Sequence, residues 1–241
     1  MATKKAAPAV KKSTAKTSVK STKTTKTSTV KAVAVVKPSS LFSSPLKRAP
    51  FIGALVAEFI GTFLLAAAVI TGQGQPIIVL FAIAGVVLLV GTLSGAHLNP
   101  AMTIGAWVTR KISGLRAVGY IVAQFLGALA ALGLLNAFIG GAAQSTAAGY
   151  PASTLFQAAA LPVGKEWYVF FAELVGTLIL GFAVATALRI KGDRLASAFT
   201  VGLGIFVALL FAASAAAYVG GSAIINPAVA LSLQALKFEM W

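Results

Sequence analysis

The sequence predicts an all-α integral membrane protein built as an inverted repeat with two re-entrant half-helices. Apolar residues make up 58% of the 241 and charged residues only 10%, too few charges to cover the outside of a soluble fold of this size. Long apolar runs fill the chain from residue 51 onward, and the first and fourth of them carry the same signature. Two further apolar stretches are half the length of a membrane crossing, and each begins Asn-Pro-Ala.

A helical crossing takes about 20 apolar residues at 1.5 Å each. Five segments meet that length: Phe51–Thr71, Pro76–Thr92, Ala117–Ile139, Trp167–Leu188 and Ala196–Val219. Turn-forming residues separate them, as in Gly72-Gln73-Gly74-Gln75-Pro76 and Lys191-Gly192-Asp193-Arg194, with a longer connection over Gly140–Lys165. Cysteine is absent, which excludes disulfides and thiolate metal sites. No short apolar core with a small-residue cleavage site follows the N-terminus, so no secretory signal is predicted.

Of the 20 Lys and Arg, 12 lie between Lys4 and Arg48, and no acidic residue precedes Glu58. Residues 1–50 are Lys, Thr, Ser, Ala and Val with scattered Pro, too poor in apolar surface to offset the entropy of ordering. They are expected to form a disordered basic tail, solvated and topology-setting. Anionic lipid headgroups are its expected partner, since each basic residue near such a surface gains about 1 kcal/mol. Nucleic acid is the less favoured partner, because no aromatic residue precedes Phe42 to stack on bases. Excess positive charge marks the cytoplasmic side. With the tail inside, 18 of the 20 basic residues fall inside, leaving only Lys165 and Lys237 outside. The N-terminus is therefore expected in the cytoplasm, and the chain in the plasma membrane.

The repeat is visible residue by residue. Ala57-Glu58-Phe59-Ile60-Gly61-Thr62-Phe63-Leu64-Leu65 matches Ala172-Glu173-Leu174-Val175-Gly176-Thr177-Leu178-Ile179-Leu180 at five of nine positions. Downstream, Ser94–Ala101 matches Gly221–Ala228 around the two Asn-Pro-Ala triplets. Three spans separate the two starts, so the second copy enters from the opposite side, and a solute path is expected between the halves. The first repeat covers 51–139 and the second 167–241. Glu58 and Glu173 are the carboxylates well inside spans. An ionised carboxylate facing lipid is costly, so both are expected to face inward and brace the non-helical backbone of the neighbouring loop. A proton or cation site is the competing reading.

Pro100–Thr109 and Pro227–Leu236 are apolar but too short to cross. Asn before Pro fits a helix start, with Asn as N-cap and Pro in the first turn. Two such half-helices, entering from opposite faces, would meet tip to tip near the membrane centre. Each tip carries about half a positive charge, which raises the energy of a cation between them. The amides of Asn99 and Asn226 can donate to a passing water and fix its orientation, which interrupts proton relay along a file. Pore width, lining donors and acceptors, and such barriers set selectivity.

These elements, with the string His97-Leu98-Asn99-Pro100-Ala101-Met102-Thr103-Ile104-Gly105 and Ala123-Gln124 in the third span, resemble the aquaporin (major intrinsic protein) family. The match runs from about residue 51 to the end. The resemblance implies a passive channel for water or a small neutral solute, a homotetramer of independently conducting subunits, no cofactor and no enzymatic activity. It makes Asn99, Pro100, Ala101, Asn226, Pro227 and Ala228 the central pore elements. His97 is expected to order its loop or line the cytoplasmic vestibule, since no Asp, His or Cys cluster accompanies it for metal.

Two positions depart from the family. Most members have Arg directly after the second triplet, where this chain has Val229. Ungapped carry-over of the other constriction positions gives Val79, Ser214 and Ala223, all small and uncharged. A wider, less polar mouth is expected, with a glycerol or small-solute facilitator as the alternative function. Glycerol facilitators usually show Asp two places after the triplet, where Ala230 stands. Leu236–Trp241 are too few for the sixth span of the family, so the chain is expected to be cut short downstream of Trp241. The rival of another class is a non-conducting five-span anchor that presents the basic tail.

Overall fold

The computed structural model describes residues 45–142 and 155–234. Most of the basic tail, the middle of the 140–165 connection and the last seven residues lie outside them. The described residues form seven helices: α1 (Pro45–Thr71), α2 (Pro76–Ser94), α3 (Pro100–Val108), α4 (Gly114–Ala142), α5 (Glu166–Ala187), α6 (Arg194–Ala217) and α7 (Pro227–Ser232). Five are long and apolar enough to cross a membrane: Pro50–Thr71, Pro76–Ser94, Gly114–Phe138, Glu166–Ala187 and Arg194–Ala217.

Two boundaries correct the sequence reading. Residues 45–50, expected in the tail, are the first turns of α1. Pro45 opens the helix, where a missing N–H costs nothing, and Pro50 gives up a single ladder bond to the carbonyl four residues before it. The second half-helix, expected to reach Leu236, ends at Ser232, and Gln234 beyond it has φ 56°.

Sequence punctuation explains the other ends. α1 stops at Gly72, after which Gln73 and Gly74 take positive φ of 53° and 65° and Pro76 opens α2. Gly95 closes α2 at φ 91°, the left-handed cap that glycine adopts without steric cost. Asp193 caps α6 by accepting from Ala196 N at 2.8 Å.

α1 packs against α4 and α2, α5 against α6, and α2 against α6 across the repeat boundary. In lipid no hydrophobic force drives helices together, so close approach of small residues does. The buried positions accordingly include Ala54, Ala57, Ala66, Ala128, Ala131, Ala172, Ala208 and Ala212. A Cβ on Gly202 of α6 would stand 2.8 Å from Leu80 O of α2, so the two halves touch nearly backbone to backbone there. α4 covers Leu55 and Phe59 of α1. Their counterparts on α5, Phe170 and Leu174, are exposed at 51% and 41%. Both half-helices pack on α4 and on each other. The pairing brings the two Asn-Pro-Ala tips together in the interior.

Candidate functional site

The site is built from the two non-helical approaches to α3 and α7. Residues 95–98 leave α2 as non-helical backbone, and residues 221–224 do the same after α6. Such backbone at membrane depth needs internal partners, and the glutamates supply them. Glu58 Oε1 accepts from His97 N at 2.9 Å and Oε2 from Leu98 N at 2.7 Å. Glu173 Oε1 accepts from Ile224 N at 2.7 Å and Oε2 from Ile225 N at 2.8 Å. The halves differ in one respect. Glu58 also accepts from Gln124 Nε2 at 2.8 Å and is fully buried, whereas Glu173 is half-buried.

Each Asn then reaches across to the other half. Asn99 Nδ2 donates to Ile225 O at 2.9 Å, and Asn226 Nδ2 donates to Leu98 O at 2.8 Å. The residue before each Asn is thus clamped at both ends. Its N–H goes to the glutamate of its own half, and its C=O goes to the Asn of the opposite half. Leu98 and Ile225 both sit at positive φ, 54° and 62°, unusual for branched side chains. The side-chain oxygens act as caps: Asn99 Oδ1 accepts from Ala101 N at 2.8 Å, and Asn226 Oδ1 from Ala228 N at 3.1 Å. Each side-chain NH₂ has two hydrogens, so one per Asn goes to the crossing bond and a second is left over. Both Asn side chains line the central cavity.

Behind α3 lies a polar cluster. Thr103 Oγ1 lies 3.0 Å from Asn99 O, 2.9 Å from Gln124 Nε2 and 3.2 Å from His97 Nδ1. Its single hydrogen goes to the carbonyl, which can only accept. The assignment that satisfies all three contacts therefore puts the His97 proton on Nδ1 and leaves Nε2 an acceptor. Tyr120 stacks edge-on against His97 and donates to Ser94 O at 2.7 Å. Among the described residues no group of His, Cys, Asp and Glu could hold a metal ion.

The cavity has a volume of about 1000 Å³ and continues from Lys111 and Arg194 at one end to Gly74 and Phe156 at the other. The five crossings alternate in direction, so the end of α2, the start of α4, the end of α5 and the start of α6 share a face. Val79, Ala223, Val229 and His97 line the cavity. Pro100, Ala101, Pro227 and Ala228 are not in its wall. Nor is Ser214, which is a correction: Ser214 is exposed on the outside of α6, and Ala213 faces the cavity. The lining face of α6 reads Val201, Ile205, Leu209, Ala213, Ala217, a step of four that ungapped carry-over of the family's constriction positions missed by one residue. Placing Trp at Ala213 should abolish conduction in a swelling assay, whereas Trp at Ser214 should leave it unchanged.

Residues 45–240 match the family described as major intrinsic protein. The chain belongs to the major intrinsic protein family. Members of this family are channels, not enzymes. Its relatives there include aquaporin PIP2-7 of Arabidopsis thaliana, 33% identical over 165 residues, or 59% of this chain and 54% of that one. Aquaporin AqpM of Methanothermobacter marburgensis is 34% identical over 152 residues, 61% of this chain and 56% of its own length. Glycerol uptake facilitator protein-like 6 of Lactiplantibacillus plantarum is 31% identical over 182 residues, 72% of this chain and 79% of its own length. This major intrinsic protein spans about half the length of the aquaporins it matches. The aquaglyceroporin of Plasmodium falciparum shares its fold, with a TM-score of 0.59 at 24% identity, covering 76% of this chain and 79% of that one.

The residues that sequence reasoning missed are Phe156, Tyr120 and Thr103. Only Thr103 had a sequence signal, its place on the first turn of the half-helix after Asn99.

Proposed function

We propose that this chain forms a passive transmembrane pore for water and small uncharged solutes, running through the cavity past Asn99 and Asn226. The observation that carries the reading is the crossed pair of Asn side chains. Each spends one N–H on the opposite loop, at 2.9 and 2.8 Å, and has one more for an oxygen in the lumen. A solute oxygen held by two fixed donors turns its own hydrogens outward along the file, so hydrogen-bond polarity reverses at the midpoint and a proton relay is broken there. The N-termini of α3 and α7 add positive potential at the same level. The two glutamates spend their oxygens on internal donors, and neither is in the cavity wall. Elsewhere the wall is mostly Val, Leu, Ile and Ala, which lets a file move without sticking.

The ring of Val79, Ala213, Ala223 and Val229 is small and uncharged, which supports a mouth that passes small polyols besides water. The names of the relatives, aquaporins and a glycerol facilitator, are consistent with either cargo. The same reading assigns residues 45–241 to the channel, 1–44 to a basic cytoplasmic tail that attracts anionic lipid, and the assembly to a homotetramer in the plasma membrane.

Stopped-flow swelling of proteoliposomes tests it. The native protein should swell well above bare liposomes. Asn99→Ala and Asn226→Ala should each slow swelling about fivefold, the factor that about 1 kcal/mol at the midpoint barrier gives. A leak that is absent, or that neither substitution changes from the native rate, would favour a non-conducting membrane anchor.

A further inference from the structure

The mouth residues carried over by sequence are all small, yet the cavity wall at that end includes an aromatic ring. Phe156 comes from the connection between α4 and α5, in a stretch with no regular structure over 155–160. Three contacts hold it. Ala158 N donates to Leu233 O at 3.0 Å, tying the strand to the end of α7. Ala159 N donates to Ser222 Oγ at 2.9 Å, tying it to the approach to Asn226. The ring fills a notch at Gly74, where a Cβ would come within 2.7 Å of Phe156 Cε1 and Cζ. Gly74 has φ 65°, so the turn that ends α1 both favours glycine and leaves the space the ring occupies. The side chain is half-buried and packs against the apolar core while facing the cavity.

We propose that Phe156 is a size-selecting residue of this pore. It supplies from a loop the bulk that Val79, Ala213, Ala223 and Val229 do not. An aromatic ring offers a flat apolar wall with no donor or acceptor, apart from its weakly negative face. It leaves water free to pass on the polar side and sets an upper limit on the cross-section of an organic solute. The solute class is small linear polyols and amides, narrow enough to slide along a ring face. The inference rests on the pore reading above and assigns the residue that sets its limit.

The test is a substitution series at Phe156, to Trp, Leu and Ala, in proteoliposomes, with permeability to water, glycerol and the four-carbon polyol erythritol measured in each. The ratio of erythritol to water permeability should rise in the order Trp, Phe, Leu, Ala, by about tenfold across the series, because pore width sets it. Leu155→Ala, beside it but outside the cavity wall, should leave the ratio at the native value. Phe156→Leu nearly conserves volume and keeps the test usable if the alanine variant does not fold. A flat ratio across the series in a protein that conducts water overturns the assignment of Phe156 alone. A native protein with no leak above bare liposomes overturns the pore reading with it.

Discussion

Glu58→Ala should destabilise the folded protein strongly, whereas Glu173→Ala should weaken it less. Removing the Glu58 carboxylate strips three donors at once: His97 N, Leu98 N and Gln124 Nε2. Leu98 and Gln124 are buried and His97 is partly so. Breaking one side of a buried charged cluster costs about 3–5 kcal/mol, a large share of the 5–15 kcal/mol that holds a typical domain together. Among the described residues Glu173 serves two donors, and it is half-buried, so its loss should cost about half as much. Thermal unfolding in detergent checks the ordering. The midpoint should drop by at least about 10 °C for Glu58→Ala and by clearly less for Glu173→Ala. Equal drops would mean that the Gln124 contact contributes nothing.

Gly127→Val is the second large effect. A Cβ on Gly127 of α4 would overlap Phe59 O and stand 3.1 Å from Phe63 N, both backbone atoms of α1. Backbone cannot turn aside as a side chain can, so the two helices must separate and lose contact along the crossing. Overpacking of this kind costs about 3 kcal/mol or more. Gly133, two turns along the same helix, meets nothing within 4 Å. Gly133→Ala should therefore gain the helix-propensity difference of about 0.5–1 kcal/mol. Opposite shifts in unfolding temperature for the two variants are the expected result, and a harmless Gly127→Val would sink the close-crossing account.

Much of the architecture was legible because a bilayer imposes long-range order on composition. The five crossings emerged within a few residues of their observed ends, since apolar runs and Gly or Pro punctuation mark the boundaries directly. The positions of Glu58 and Glu173 were legible too, because a carboxylate in the middle of an apolar run has few affordable surroundings. Register was not. Ser214 and Ala213 differ by one residue, about 100° around a helix, and the mean composition of α6 does not distinguish them. The start of α1 was hidden because Pro50 looks like a boundary, and a proline inside a helix costs less near its first turns. Phe156 was invisible for a different reason. Its segment has no periodicity, and its place is set by a notch at Gly74 and two hydrogen bonds, one to a carbonyl and one to a serine hydroxyl, from its neighbours to residues more than sixty positions away.

The crossed clamps at Leu98 and Ile225 bear on the order of assembly. Asn99 leaves the ribosome 126 residues ahead of the carbonyl it will hold. Until Ile225 arrives, the Asn99 amide lacks the acceptor it has in the fold, and Leu98 is held in a left-handed turn from one side only. The first re-entrant tip must therefore wait, unset, while three more crossings are inserted. It locks in the same event that locks the second. Co-expressed halves, split within the connection after α4, should complement each other, while either half alone should leave its tip open to proteolysis.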